Sequence, residues 1–286
     1  MTTTDPQQAA PASAVPASLR RDRAAALVAE RGFVRVRELA DAFGVTGVTA
    51  RADLDALERD GVIRRVHGGA VPATDSRASD VARRPEREPS FEEALTASAT
   101  AKWDIGLAAA ALVGSGQSVI LDVGTTTLQV ARALAARRDL DDVTIFTNGI
   151  SIALELEPQI PRFTVILTGG TLRPRQHSLV DPLARGILAD VRADIAFIGC
   201  NGVDVEHGVT NANLPEAAVK IAMLHAAARA VVVADSSKLG EVHLARIGAI
   251  DHVDTLITDA AAPAVLLAEF EGAGLTVLAA GSRLSP

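Results

Sequence analysis

Residues 35–70 read RVRELADAFGVTGVTARADLDALERDGVIRRVHGGA, and glycines at helix-ending positions divide this stretch. Val36, Leu39, Ala40 and Phe43 fall on one helical face, which stops at Gly44. After Val45, Thr46 has the side chain of an N-cap, and a further helix follows to Gly61. Val48, Leu54 and Leu57 are expected on its inner face. VIRRVHGGAV then reads as two short strands around Gly68-Gly69. Upstream, LRRDRAAALVAERG carries Leu19, Ala26, Leu27 and Glu30 at helical spacing and stops at Gly32. Three helices and a hairpin, with the second and third helices closely joined, make a winged helix-turn-helix layout.

The chain has 286 residues, 48% apolar and 22% charged, a balance that favours packed cores over disorder. Its length suits two domains. The net charge of -7 argues against nucleic acid until the chain is divided. Residues 1–72 hold 10 Arg and 9 Asp or Glu, residues 73–90 hold 4 of each, and residues 91–286 hold 14 basic against 22 acidic. The acidity therefore lies in the C-terminal part, and this asymmetry fits DNA binding at one end only. No apolar run approaches the roughly 20 residues that span a bilayer. Residues 1–18 lack the regions of a secretion signal and read as a disordered leader. The single Cys200 excludes an internal disulfide framework and a cysteine-based metal cluster. A cytoplasmic protein without membrane partners is expected. Residues 19–71 form the helical unit, and 72–90, with Pro72, Pro85 and Pro89, read as a linker.

From residue 91 to 286 the chain alternates helical stretches with short apolar runs. SVILD (118–122), VTIFT (143–147), FTVILT (163–168), DIAFIG (194–199), AVVVAD (230–235) and DTLIT (254–258) indicate an α/β domain with a mostly parallel sheet. Ligands of such sheets bind beyond the carboxyl ends of the strands. Those ends here carry Asp122, Gly124, Thr125, Thr126 and Thr127; Asn148; Gly169, Gly170 and Arg173; Asn201; and Lys238. Small, hydroxyl and amide residues with two cations suit a phosphorylated polyol. Gly124–Thr127 opening a helix is the best phosphate cradle, since glycine admits close approach and the helix start offers free N–H groups. Lys238 adds a point charge, and Asp122 accepts from sugar hydroxyls. The plainer reading of each site is a tight strand-to-helix turn.

Thr46, Val48, Thr49 and Arg51 on the third helix would face the major groove, while Arg64, Arg65, His67 and Gly68 on the hairpin would meet backbone or minor groove. A purely structural or protein-binding winged helix is the competing reading. The histidines show no metal-binding spacing, and no cofactor motif is present. His177, near Arg173 and Arg175, either reaches the ligand or is an exposed loop histidine. Trp103 reads as helix packing, and Lys220 as an i,i+4 partner of Glu216.

The chain resembles the DeoR family of bacterial repressors over nearly its whole length after the leader. One carrier is Glu38-Leu39-Ala40-x-x-Phe43-x-Val45-Thr46-x-x-Thr49-x-Arg51-x-Asp53-Leu54-x-x-Leu57-Glu58-x-x-Gly61, closed by Arg65-x-His67-Gly68-Gly69-Ala70. The other is the series Asp122-x-Gly-Thr-Thr, Thr147-Asn148, Gly169-Gly170, Gly199-x-Asn-Gly-x-Asp204 and Asp235-x-Ser-Lys238. The resemblance implies a helix-turn-helix near Val34–Asp53 and an effector domain similar in fold to ribose-5-phosphate isomerase. It also implies a repressor of a carbohydrate-metabolism operon, relieved by a phosphorylated sugar. Two departures stand out. Ala52 occupies a position where the family usually has a second arginine, which removes a DNA contact. Asp181 stands where glycine is common, and there it either alters ligand preference or sits idle.

An isomerase-like enzyme is the alternative. Aldose–ketose isomerisation needs a carboxylate to move a proton beside the carbonyl. Ribose-5-phosphate isomerases carry Asp-Gly-Ala-Asp-Glu after the corresponding strand, whereas this chain has Ile198-Gly-Cys-Asn-Gly202 and no carboxylate until Asp204. Binding without turnover is therefore expected. The expected partners are a double-stranded DNA operator, a phosphorylated sugar and further copies of the chain, since one recognition helix reads few base pairs.

Overall fold

The computed structural model describes residues 16–66, 69–72 and 88–281. The chain divides into two compact units, Met1–Val81 and Ala82–Pro286. The leader reading of 1–15 and the linker reading of 73–87 lie outside the described residues.

The first unit contains α1 (Ala17–Arg31), β1 (Val34–Arg35), α2 (Val36–Phe43), α3 (Gly47–Arg59), β2 (Ile63–Val66) and β3 (Gly69–Pro72). Strand β3 lies between β1 and β2 and is antiparallel to both. Thr46 caps α3, accepting from the Thr49 amide at 3.2 Å. Val28, Leu39, Leu54, Leu57 and Ile63 form the core with Val34, Val36 and small alanines. The α1 pattern differs from the expected one. Leu19 is 44% exposed and Ala26 is exposed, while Arg20, Ala24 and Val28 turn inward. The reason is an ion pair. Arg20 donates through Nε and Nη2 to the two carboxylate oxygens of Asp53 on α3, the second bond being 3.1 Å. Both residues are buried, so the fork of the guanidinium fixes the rotation of α1 against α3.

The second unit opens with α4 (Phe91–Thr96), α5 (Ala99–Ala110), β4 (Ser118–Leu121) and α6 (Thr125–Ala136). β5 (Val143–Thr147), α7 (Ile150–Leu156), β6 (Phe163–Leu167) and the hairpin β7 (Thr171–Arg173) and β8 (Ser178–Val180) follow. Next come α8 (Leu183–Ala189), β9 (Ile195–Gly199), β10 (Gly202–Asp204), β11 (Gly208–Asn211) and α9 (Leu214–His225). β12 (Ala230–Val233), β13 (Ala245–Gly248), β14 (Thr255–Asp259), α10 (Ala264–Gly272) and β15 (Thr276–Ala280) complete it.

Seven strands form one parallel sheet in the order β15-β14-β12-β9-β4-β5-β6. The six expected strands are all in it, and β15 is the addition. An edge strand of which only Ala280 is buried carries a weaker apolar signal than strands covered on both faces. Val119 and Leu121 of β4, Phe197 of β9 and Val231 and Val233 of β12 share one core with Ile105, Leu128, Leu134 and Ile152 of α5, α6 and α7. Among the described residues, no helix is long and apolar enough to cross a membrane.

One buried ion pair ties α9 to the middle of the sheet. The Lys220 ammonium donates to Oδ2 of Asp122, just beyond β4, and to the carbonyl of Gly199 at 2.8 Å, at the end of β9. Asp122 Oδ2 also accepts from the Gly199 amide at 3.0 Å. Lys220 thus pairs with Asp122, not with Glu216 as the i,i+4 spacing suggested, because its side chain turns inward to 3% exposure. Burial pushes the Asp122 carboxyl up to about 6, against the pull of the neighbouring ammonium. Burial opposes the charge of Lys220 as well, yet the Asp122 carboxylate holds its pKa above the usual lysine value.

Two outcomes follow from these pairs. Asp53→Ala leaves the Arg20 charge buried without its carboxylate and should cost about 3–5 kcal/mol in denaturant unfolding of the first unit. A loss below 1 kcal/mol would show that the pair does not set the helix packing. An acid whose folded pKa lies above its unfolded value takes up its proton first in the folded state. Its contribution to stability therefore falls as pH rises from 3.8 towards about 6. Wild-type protein should accordingly lose unfolding free energy relative to Asp122→Asn across that window; a relative gain would contradict this assignment.

Candidate functional site

The order of the sheet reverses at β4. Strands β5 and β6 lie on one side, and β9, β12, β14 and β15 on the other. Loops leaving β4 and β9 therefore part, opening the crevice in which open α/β sheets bind ligands. A cavity of about 250 Å³ lies there, lined by the turn after β4, the end of β9 and the turn after β12. Chain upstream of α5 supplies a further wall.

The turn after β4 has the form of an anion site. Gly124 has φ +152°, and a Cβ there would meet the Thr127 hydroxyl at 3.2 Å, so glycine is needed. Helix α6 starts immediately afterwards without a side-chain cap, which leaves the amides of its first turn to the cavity that Thr125, Thr126 and Thr127 line. The Thr127 hydroxyl donates to the Gly124 carbonyl at 3.0 Å and fixes the turn. Lys238 lines the same cavity and makes no ion pair among the described residues. Asn201 contributes from the end of β9, where its side-chain oxygen accepts from the Ala212 amide at 2.8 Å.

Five residues singled out by sequence stand outside the lining, each for a structural reason. Asp122 is fully buried beneath the turn in its pair with Lys220, so it is not placed to accept from a ligand. Asn148 is also fully buried. Its Oδ1 accepts from the Val123 amide at 2.8 Å and its Nδ2 donates to the Leu179 carbonyl at 3.1 Å. It thus positions the Gly124–Thr127 turn from behind. Gly169 and Gly170 lead into β7; at Gly170, with φ +123°, a Cβ would lie 2.2 Å from the Val180 carbonyl, so the pair serves hairpin packing. Arg173 stands behind two carboxylates that themselves line the cavity, bonding Glu216 and, at 2.7 Å, Glu88.

Sequence reading missed several lining residues: Lys102, Gln176, Asn211, Glu216, Lys220 and Asp235. Lys102, Gln176, Glu216 and Lys220 come from helices and loops with no strand-end signature, whereas Asn211 ends β11 and Asp235 closes the run AVVVAD. Glu216 and Lys220 carried a further signal, two charges set among the apolar residues of α9. Glu88, Pro89 and Ser90, read as linker, also line the cavity. His177 is not itself in the lining; it stacks on the lining residue Phe91 with ring centroids 4.7 Å apart and shares a 2.7 Å hydrogen bond with Ser151. Trp103 is 39% exposed. Asp181 pairs with Arg185 at 2.6 Å, also away from the cavity. Burial pushes the Cys200 thiol up to about 12, so it remains neutral there. Among the described residues, no group of His, Cys, Asp and Glu could hold a metal ion.

On the first unit, the start of α3 presents a polar face. Thr46, Arg51 and Ala52 are exposed, Thr49 is half-buried, and Val48 is 73% exposed. Val48 therefore faces solvent and not the core, because Ala50, Asp53 and Leu54 take the inner positions. Arg65 is held against α3: its guanidinium pairs with Asp55 and its amide donates to Glu58 at 2.8 Å. That pairing occupies the charge expected to meet DNA and instead fixes β2 on the helix. Arg64 lies in β2 opposite Val71, whereas His67 and Gly68 fall outside the described residues.

A model of the DeoR-like helix-turn-helix domain matches residues 20–76, and one of the DeoR C terminal sensor domain matches residues 97–260. The HTH-type transcriptional regulator GlpR of Haloferax volcanii is 37% identical, covering 91% of this chain and 96% of that protein. The putative aga operon transcriptional repressor of Escherichia coli O157:H7 is 34% identical over 92% and 94%. The HTH-type transcriptional repressor CsqR of Escherichia coli K12 is 31% identical over 91% and 94%. Among solved structures, ribose 5-phosphate isomerase A of Methanocaldococcus jannaschii aligns with 48% of this chain and 53% of its own, at 19% identity and a TM-score of 0.36. That likeness is too slight to carry an argument. The two domain matches and the near full-length relatives agree: this chain belongs to the DeoR family of DNA-binding transcriptional regulators.

Proposed function

We propose that this regulator is a repressor whose hold on its operator is relieved by a phosphorylated sugar bound in the cavity. The carrying observation is the uncapped start of α6 at Gly124–Thr127 facing the same cavity as Lys238. A helix N-terminus and an ammonium together suit a phosphate, while Gln176, Asn201 and Asn211 suit hydroxyls. Repression is the activity named for two of the relatives. The domain reading is a DNA-binding unit over 19–71, a connecting stretch and a sensor unit that takes in Glu88 onward. A homodimer or larger oligomer would present two recognition helices to two half-sites, in the cytoplasm where the DNA lies.

Binding without turnover is supported by the state of the carboxylates. Glu216 is engaged by Arg173 and Ser178, Glu88 by Arg173 and Asn213, and Asp235 by the amide and hydroxyl of Ser237. Asp204, the carboxylate nearest the isomerase-like stretch in sequence, bonds to His207 and does not line the cavity.

Lys238→Met removes a charge-assisted bond to phosphate worth about 1.5–3 kcal/mol, so calorimetry should show sugar-monophosphate affinity falling by roughly 10- to 150-fold. Unchanged affinity would move the phosphate elsewhere. Arg51→Ala should weaken operator binding by about 1–3 kcal/mol in an anisotropy titration. A wild-type affinity insensitive to salt would remove the DNA-phosphate contacts from this reading.

A further inference from the structure

One wall of the cavity is a strap, Glu88–Ser98, which lies close to the start of the second unit in sequence. We infer that this strap carries occupancy of the cavity to the chain that precedes it, and that Lys102 is the residue through which it responds to a bound oxyanion. The inference rests on the phosphorylated-effector reading above.

Lys102 is 5% exposed and has no carboxylate partner among the described residues. Its ammonium has three protons to donate. Two go to strap carbonyls, Ala94 at 2.7 Å and Ala97 at 2.8 Å, and one is left for the cavity that Lys102 lines. This buried cation is bonded to neutral carbonyls and to no carboxylate; burial holds its pKa below the usual lysine value, the more distant Asp235 carboxylate offsets this in part, and the Lys238 ammonium adds to it. A phosphate entering beside Lys238 offers that counter-charge. Charge-assisted bonds are roughly twice as strong as neutral ones, so the anion competes with Ala94 and Ala97 for the ammonium. The strap therefore has different energies with the cavity empty and filled, which a transmitted signal requires.

The strap is also built to move as a piece. Its helix α4 has six residues, too few to be stable alone. Between α4 and α5, Ser98 sits at φ +52°, a left-handed hinge in a residue that rarely adopts it. Its other ties run from Glu88 to Leu95: the Phe91 ring stacks on His177, Glu92 pairs with His177 at 3.2 Å, Glu93 pairs with Arg175 at 3.8 Å, and Leu95 packs on the core. Glu88 bonds Arg173 and Asn213, each at 2.7 Å, and the Phe91 amide donates to the Arg175 carbonyl at 2.7 Å. A shift at Lys102 thus acts between a hinge at one end and an ionic anchor at the other.

Amide hydrogen exchange on the full chain tests this, using the member of a panel of pentose and hexose monophosphates that raises the wild-type melting midpoint most. In wild type the probe should slow exchange at 124–127 and change it across 91–98 by about fivefold or more, the low end of usual coupling. In Lys102→Met the probe should still protect 124–127 while the change across 91–98 disappears, and Lys102→Arg should restore part of it. Glu88→Gln, which leaves Lys102 intact, should keep the change at 91–98 but reduce the probe's effect on operator affinity. If no monophosphate binds wild type, the effector reading falls and this inference with it. Protection at 124–127 without any change at 91–98, or an equal change in Lys102→Met, overturns the inference alone.

Discussion

The ammonium of Lys220 is the point on which the sensor unit depends. It reaches from α9 to a carboxylate beyond β4 and a carbonyl at the end of β9, the two strands between which the sheet changes direction. The two strands are paired directly, and it is beyond their carboxyl ends that the crevice opens. Here a buried charge pair spans it from below. Taking two charges out of water is costly, and Asp122 Oδ1 remains buried without a hydrogen-bond partner. Such an arrangement is weak as a source of stability but strong as a constraint, since few geometries satisfy it. It holds the Gly124–Thr127 turn and the Gly199–Asn201 loop at a fixed separation.

The same logic recurs on a smaller scale in the DNA-binding unit. Arg20 and Asp53 set α1 against α3, and Arg65 with Asp55 sets β2 against the same helix. The exposed start of α3 is therefore carried on a frame that two of the unit's arginines, Arg20 and Arg65, hold in place. Arg51 is the cation on the outer face at the start of that helix.

Much of this was legible in the sequence, for identifiable reasons. Helix stops at Gly32, Gly44 and Gly61 and apolar runs such as SVILD have local signatures, so the layout of both units and the Gly124–Thr127 turn could be read directly. What was not legible depends on partners distant in sequence. Asp122 looked like a ligand residue because it stands at a strand end; only the turn of α9, 98 residues later, shows that its charge is used internally. Arg173 looked free until Glu88 and Glu216 came together around it. The strap at Glu88–Ser90 had the composition of a linker, and composition does not reveal that Arg173, Asn213 and Gln176 bind it. The β15 strand was missed because an edge position asks little apolar character of its residues.

The account makes phosphate the recognised group and release of DNA the consequence. The most direct test is anisotropy of labelled operator DNA, taken from upstream of the protein's own operon, with protein bound at fixed ionic strength. Each sugar monophosphate is titrated beside its unphosphorylated form. The account predicts that at least one monophosphate releases the DNA while its unphosphorylated form does not at the same concentration. Equal release by both forms, or no release by any monophosphate, would contradict it.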